Sequence, residues 1–504
     1  MGVLFHVMLS KMTNRTIDTL RKNCIWACIY YVLYLIVYYS LCQRHSLHWD
    51  EVLDMHGEAN DTYCALGRWS LWMYRIIFGT GAQLASAGLI AGGFISIAAV
   101  IQTSLLNMKA PWLKALYGIL LMASYQWAAQ LHYSHQSDAV ALGLLICTIA
   151  AILTYNGKGI VHLIFATFLL AVGIGFYQSL TQLYVIVWIT MLIVDNSQKL
   201  PSLLIRKMAI ACAVSCCSLL LWWIGKFLSL HCIPVETTEW AHGYLTDMSE
   251  WQAILAAHDV SYQLGLLWHY LRLSLSNASG LGKASYWIFA TALIPLAGLL
   301  LRHMRSKRGW DRIVSCLLTL ALWWIPFSLP FFMMSPSMAM RTWVAVPFSF
   351  AALWLLWVRD LQVARGWRIA SICIALALMS STAVHVYEIA TIETVQHRGT
   401  LSTLGQLHQR AMELASQKGI QNPDIVVFGS FDKNEYPDLV TTVFNGPIMN
   451  WYCKQYRLTG MHKANSSDEK TYGAQVEAMA KWPEAASVSA AGESTILIRL
   501  PKGN

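Results

Sequence analysis

Five carboxylates crowd one short stretch of this chain. Asp50, Glu51, Asp54, Glu58 and Asp61 lie between residues 43 and 67, opposed only by Arg44. If the stretch is helical, Asp50, Asp54, Glu58 and Asp61 share one narrow face. Like charges at that spacing destabilise a helix, so the pattern points to chemistry rather than to support. A carboxylate beside a membrane surface can take the proton of an acceptor hydroxyl or hold a divalent cation. Asp50 and Glu51 are the candidate catalytic pair, and the alternative is a solvated acidic loop.

Cations and hydrogen-bonding groups follow. In Gly67–Gly79, Trp69, Trp72, Met73, Ile76 and Ile77 form an apolar helical stripe, with Arg68 and Arg75 flanking it on one side. That pattern fits a helix lying in the membrane interface. Arg68 and Arg75 can grip a lipid-linked phosphate bidentately, unless they snorkel to headgroups. Arg341 sits in a loop otherwise lacking positive charge, which suits an anion or an ion pair with the acidic loop. Asp138 is a candidate substrate contact. His132 and His135, three apart, would meet on one helical turn as metal ligands, although paired interfacial histidines without metal are commoner. Tyr177-Gln178 can hydrogen-bond a sugar or serve as a belt aromatic beside a turn former.

These groups need a scaffold, and composition says which kind. Charged residues are 12% of the 504, against roughly 25% in ordinary soluble proteins. Hydrophobic residues are 56% and the mean hydropathy is +0.46. Lipid must therefore solvate most of the chain. Apolar runs long enough to cross the bilayer fall at 24–42, 81–103, 113–130, 138–155, 160–176 and 179–194. Others fall at 208–230, 285–301, 313–332, 343–358 and 369–387. The expected fold is a polytopic α-helical membrane protein with about 11 transmembrane helices.

The net charge of +9 is topology information rather than nucleic-acid affinity. Lys and Arg gather in alternate loops: Lys11–Lys22, Lys109–Lys114, Lys158, Lys199–Lys207, Arg302–Arg312 and Arg359–Arg368. The expected N-terminus, residues 1–23, is then cytoplasmic, and the end of the chain lies outside. Loops 43–80 and 231–284 face outward, the latter as interfacial or re-entrant helix. No cleavable signal peptide is evident, so the first span is expected to stay. Residues 24–387 form the transmembrane domain and 388–504 a small α/β tail domain. Within the tail, an amphipathic helix over 401–418 ends at Gly419. Asp424–Gly429 and Ser494–Leu500 read as strands.

Several classes are disfavoured. Span centres nearly free of ionisable residues weaken an ion-coupled transporter, and neither a P-loop nor a convincing dinucleotide fingerprint is present. Most cysteines read as apolar fillers, with a Cys42–Cys64 disulfide as an option. Gly88 and Gly92 mark close helix packing.

The acidic pair after the first span, the Gly67-Arg68 opening an interfacial helix, Gly175-Phe-Tyr-Gln-Ser179, and a tail closing on Trp482-Pro483 and Ile496–Leu500 are similar to one known family. Together they resemble the bacterial serotype-converting O-antigen glucosyltransferases. The resemblance implies a GT-C-like enzyme of the bacterial inner membrane with a periplasmic tail domain. Such an enzyme would move glucose from a polyprenyl-phosphate carrier to O-antigen, the polysaccharide of lipopolysaccharide. It also implies that Asp50 and Glu51 match the acidic pair and Gly67 and Arg68 the Gly-Arg. The alternative is a transporter or flippase for lipid-linked saccharide.

Overall fold

The structure is a computed structural model. It describes residues 14–43, 58–79, 85–106, 110–157, 159–195, 201–239, 285–307, 309–328, 342–360, 365–432, 439–444 and 447–501, with a few single positions between them. The chain divides into two compact units. The first holds the initial helix and Leu53–Tyr387, the second Glu388–Asn504.

The first unit is helical. Its elements are α1 (Asn14–Cys42), α2 (Glu58–Ala65), α3 (Trp69–Phe78), α4 (Ala85–Leu105), α5 (Pro111–Met122), α6 (Gln126–Leu131) and α7 (Ser134–Asn156). They continue as α8 (Ile160–Phe176), α9 (Leu180–Asp195), α10 (Pro201–Leu230), α11 (Ser285–Ser306), α12 (Gly309–Trp324), α13 (Val346–Asp360) and the long α14 (Arg365–Gln417). Among the described residues, six helices are long and apolar enough to cross a bilayer: parts of α1, α4, α7, α10, α12 with the turn after it, and α14. Four shorter apolar helices, α5, α8, α9 and α13, accompany them.

Helix α1 shows how such a bundle is joined where water cannot help. Tyr30, Tyr34 and Tyr38 recur every four residues, so they line one face, and all three are fully buried. Their hydroxyls donate to backbone carbonyls of neighbouring helices. Tyr30 reaches Lys114 at 3.0 Å, Tyr34 reaches Gly88 at 2.7 Å, and Tyr38 lies 2.9 and 2.6 Å from the carbonyls of Met122 and Ser124. The expected close packing at Gly88 and Gly92 is present, against Cys42 and the Tyr34 ring. No disulfide joins Cys42 to Cys64; Cys64 is buried with Ala65 and Ile233 instead.

The apolar run 113–130 is not one helix. It breaks between α5 and α6, which frees carbonyls that lipid could not satisfy. Side chains fill the need: Trp127 donates to Leu121, Thr382 to Ala123, and the single Tyr38 O–H is shared between Met122 and Ser124. Runs of hydropathy cannot reveal such a break, because the residues that make it are themselves mostly apolar.

The second unit carries a small C-terminal sheet. Its four-stranded sheet has the order β2-β1-β4-β3, with β1 (Asp424–Phe428) parallel to β2 (Met461–Lys463) and β4 (Thr495–Arg499), and β3 (Val488–Ala491) antiparallel to β4. The two strands with the longest apolar runs are central and pair from Asp424 with Thr495 to Phe428 with Arg499. Val426, Phe428 and Leu497 form one core with Val476 of α15 (Ser466–Glu477), whose start is closed by a reciprocal Asn465–Asp468 capping box. The amphipathic helix expected at 401–418 is the end of α14 rather than a separate element. Leu404, Leu407, Ala411 and Ala415 make its buried stripe, and no proline interrupts residues 388–417. Gly419 ends it with φ +71° while the Ile420 N–H returns to the Ala415 carbonyl.

Candidate functional site

The Gly67-Arg68 turn is held on several sides. Gly67 adopts φ +80°, a region that costs any other L-residue. A Cβ there would lie 2.9 Å from the Trp222 ring. The Trp222 indole N–H donates to the Gly67 carbonyl at 2.8 Å, and the Gln178 amide donates to the Leu66 carbonyl at 2.7 Å. The turn therefore has one conformation, fixed by α10 and by the segment before α9. It starts α3 at Trp69, which packs against Gly175 and Gly225. A side chain at Gly175 would strike Trp69 and Ser70, so glycine at the head of Gly175-Phe-Tyr-Gln lets α3 lie directly on α8.

Arg68 occupies the N-cap position of α3. Its guanidinium carbon stands 4.6 Å from the Tyr177 ring centroid, and Nη1 donates to Gln136 Oε1 at 3.3 Å. Stacking on one face and an amide at one edge orient the planar fork. Arg68 Nε, Tyr177 Oη and, two residues along the chain, Ser179 Oγ are buried with no hydrogen-bond partner among the described residues. Buried polar groups are nearly always bonded within a folded protein. An oriented guanidinium with a free N–H edge, stacked on a tyrosine whose hydroxyl is unpartnered, can receive an anionic, hydroxyl-bearing ligand.

Arg75 and Asp138 meet a different arrangement from the one expected of them. The sequence offered Arg75 to a phosphate and Asp138 to a substrate, but they bond to each other. Arg75 Nη2 lies 2.5 Å from Asp138 Oδ1 and Nη1 lies 3.3 Å from Oδ2, with side-chain exposures of 1% and 3%. Tyr74 adds a bond to Asp138 Oδ2 at 3.0 Å. The reason is the helical phase: α3 turns Ser70, Leu71 and Arg75 inward while Met73, Ile76, Ile77 and Phe78 are exposed. A guanidinium on the inner face must be neutralised, and α7 supplies Asp138. The pair ties α3 to the first turns of α7, where Gln136 also sits.

Tyr177 and Gln178 are brought to Arg68, Tyr177 beneath its guanidinium and Gln178 on the turn before it. His132 closes α6 and His135 begins α7, so the single turn expected to unite them is interrupted at Tyr133. Among the described residues, no three of His, Cys, Asp or Glu are grouped to hold a metal. Asp50, Glu51 and Arg341 lie outside the described residues. Sequence reasoning missed Gln136, an amide two residues from Asp138, and Trp222, one tryptophan among 22. Nothing in their local pattern separates them from span-end polar residues and lipid-facing aromatics.

No curated protein and no solved structure matches the chain. The family model described as glucosyl transferase GtrII matches residues 38–358, well over half of the sequence and all of the site just described. The stacked arginine, its glycine turn and the buried unpartnered hydroxyls thus lie within the matched region of a membrane glycosyltransferase, and the chain belongs to the glucosyl transferase GtrII family.

Proposed function

We propose that this glucosyltransferase takes glucose from a polyprenyl-phosphate carrier and places it on O-antigen at the periplasmic face of the bacterial inner membrane. The observation that carries the reading is Arg68, stacked on Tyr177 and steadied by Gln136 within the matched region. A fixed guanidinium beside unpartnered hydroxyls suits a sugar phosphate. A lipid carrier also accords with the lack of any nucleotide-binding loop in the sequence. The fold belonging to this reading is GT-C-like, with about 11 spans, a cytoplasmic N-terminus and a periplasmic tail domain over residues 388–504.

The chemistry is a direct displacement at the sugar's C1. Asp50 or Glu51 accepts the proton of an acceptor hydroxyl, the hydroxyl oxygen bonds to C1, and the C1–O bond to phosphate breaks. The phosphate leaves with the bonding pair, so the configuration at C1 inverts. Arg68 and Arg341 hold the phosphate as its charge grows. Asp138 and Arg75 hold α3 in place, and Tyr177 and Gln178 contact the sugar or orient what does.

The test is transfer of labelled glucose from polyprenyl-phosphate-glucose to O-antigen in membranes containing the protein. Wild type is compared with Asp50→Asn, Glu51→Gln and the double variant at matched levels. Loss with one carboxylate names the base. Full transfer by the double variant removes the acidic pair from the mechanism, and a wild type inactive with this donor removes the donor.

A further inference from the structure

A cavity of about 480 Å³ lies among α8, α9, α10 and the end of α12, within the range of small-molecule sites. Its walls change character along α9. At the Tyr177 end Gln178 and Gln182 stand beside Ile174 and Trp222, and the Gln182 amide donates to Ser328 Oγ at 3.3 Å. One turn further along come Val185, Leu219 and Trp324. The rise of a helix makes this gradient roughly 10 Å long. Two of the lining side chains, Gln178 and Trp222, are the ones bonded to the Leu66 and Gly67 carbonyls. The cavity thus shares a wall with the turn that carries Arg68.

The geometry points to the cavity as the seat of the head-proximal isoprene units of the carrier, a specificity element for an unsaturated prenyl chain. This rests on the carrier reading above. A charged head at Arg68 and a chain descending past Gln182 to Val185, Leu219 and Trp324 match the polarity gradient. A free sugar does not, because most of its hydroxyls would be buried against carbon without partners. The chain gains no hydrophobic free energy by leaving lipid for the cavity, since lipid is equally apolar. What it gains is close packing against fixed walls. The effect is registration: a seated chain delivers its phosphate to one place beside Arg68.

The experiment uses a benzophenone-bearing farnesyl phosphate as a photoprobe on the full-length protein in membranes, with labelled peptides mapped by mass spectrometry. Adducts on 174–185, 219–222 or 324–328, displaced by excess farnesyl phosphate but not by dodecyl phosphate, are expected. Adducts confined elsewhere overturn the inference. Equal displacement by dodecyl phosphate also overturns it, because the cavity then holds any lipid chain. As a second variable, Val185→Phe narrows the lower wall. It should raise KM about tenfold for a long-chain donor while changing KM less than about twofold for a dimethylallyl one, whose five carbons end short of Val185. An equal rise for both overturns the inference, and if the variant does not fold the wild-type adduct map decides alone. Cavity labelling without glucose transfer removes the transfer reading and leaves the chain site, whereas transfer with labelling elsewhere removes only the chain site.

Discussion

Replacing Asp138 by Asn removes a countercharge of Arg75 while keeping the shape of the side chain. The carboxylate receives two bonds from Arg75, at 2.5 and 3.3 Å, and one from Tyr74 at 3.0 Å. An asparagine has one oxygen to offer, and its NH2 confronts donors on the other side. Arginine keeps its charge, so the variant takes the Asp138 countercharge away from a buried cation. Breaking such a pair costs about 3–5 kcal/mol, and the surviving acceptor places this case near 3. That corresponds to an apparent Tm lower by roughly 3 °C for a chain of 504 residues, measured on the purified protein in detergent. The double variant Arg75→Met with Asp138→Leu should recover most of the loss, because an apolar pair of similar volume is often neutral or stabilising. If the pair only positions α3, the double variant also recovers glucose transfer to within a few-fold. An Asp138→Asn protein melting within about 1 °C of wild type would refute the energetic reasoning. Regained stability with transfer still lost about a hundredfold would assign Asp138 a direct role in the chemistry.

Three further outcomes follow from the geometry. Gly67→Ala, at φ +80° against Trp222, should cost about 1–3 kcal/mol and cut transfer at matched expression; unchanged activity would show that the turn is not fixed. Arg68→Lys loses the stack on Tyr177 and the planar fork. It should therefore raise KM for the lipid-linked donor about tenfold with little change in Tm, whereas an unaltered KM removes Arg68 from phosphate binding. In the tail unit, burial lowers the Lys463 ammonium pKa from its ordinary value to about 8, below its value in the unfolded chain. The unfolded state therefore binds more protons between that pH and the ordinary lysine range, and stability rises with pH across it, by at most about 1.4 kcal/mol per unit. Pulse proteolysis of the full-length protein in urea at pH 7 and 9 reads this, and Lys463→Met should flatten the slope.

What the sequence could show depended on whether a feature is written in one stretch of chain or across several. Hydropathy located the helices because an apolar run long enough to span is a local property, and short runs rich in Ile and Val marked Asp424–Gly429 and Ser494–Leu500 as strands. Strand Met461–Lys463, with three residues, is too short to carry a period. The end of α14 was legible as an amphipathic helix, yet its continuity with the preceding span was not, since falling hydropathy marks a change of solvent rather than a change of backbone. In the site, Arg68 and Tyr177 stood out as a charge and a turn aromatic, but that one stacks on the other is a fact of tertiary packing. The same holds for Arg75. Its spacing from Arg68 suggested a shared task, and only the rotation of α3 shows that it turns inward to Asp138.

The tyrosine ladder of α1 bears on how the protein is made. Its hydroxyls sit on residues 30–38, but the carbonyls that receive them belong to residues 88–124 and are synthesised later. A hydroxyl left unbonded in hydrocarbon costs several kcal/mol, about 4–8 on the harshest scale, and three lie along one face. The first helix is therefore poorly suited to enter lipid alone and should linger at the insertion machinery until α4 and α5 emerge. Nascent chains halted before Gly88 should crosslink through α1 to that machinery, and chains halted well beyond Ser124 should not. Release of both at the same rate would show that the ladder forms after insertion rather than governing it. Early handover to the bilayer would then depend on α1 hydropathy alone.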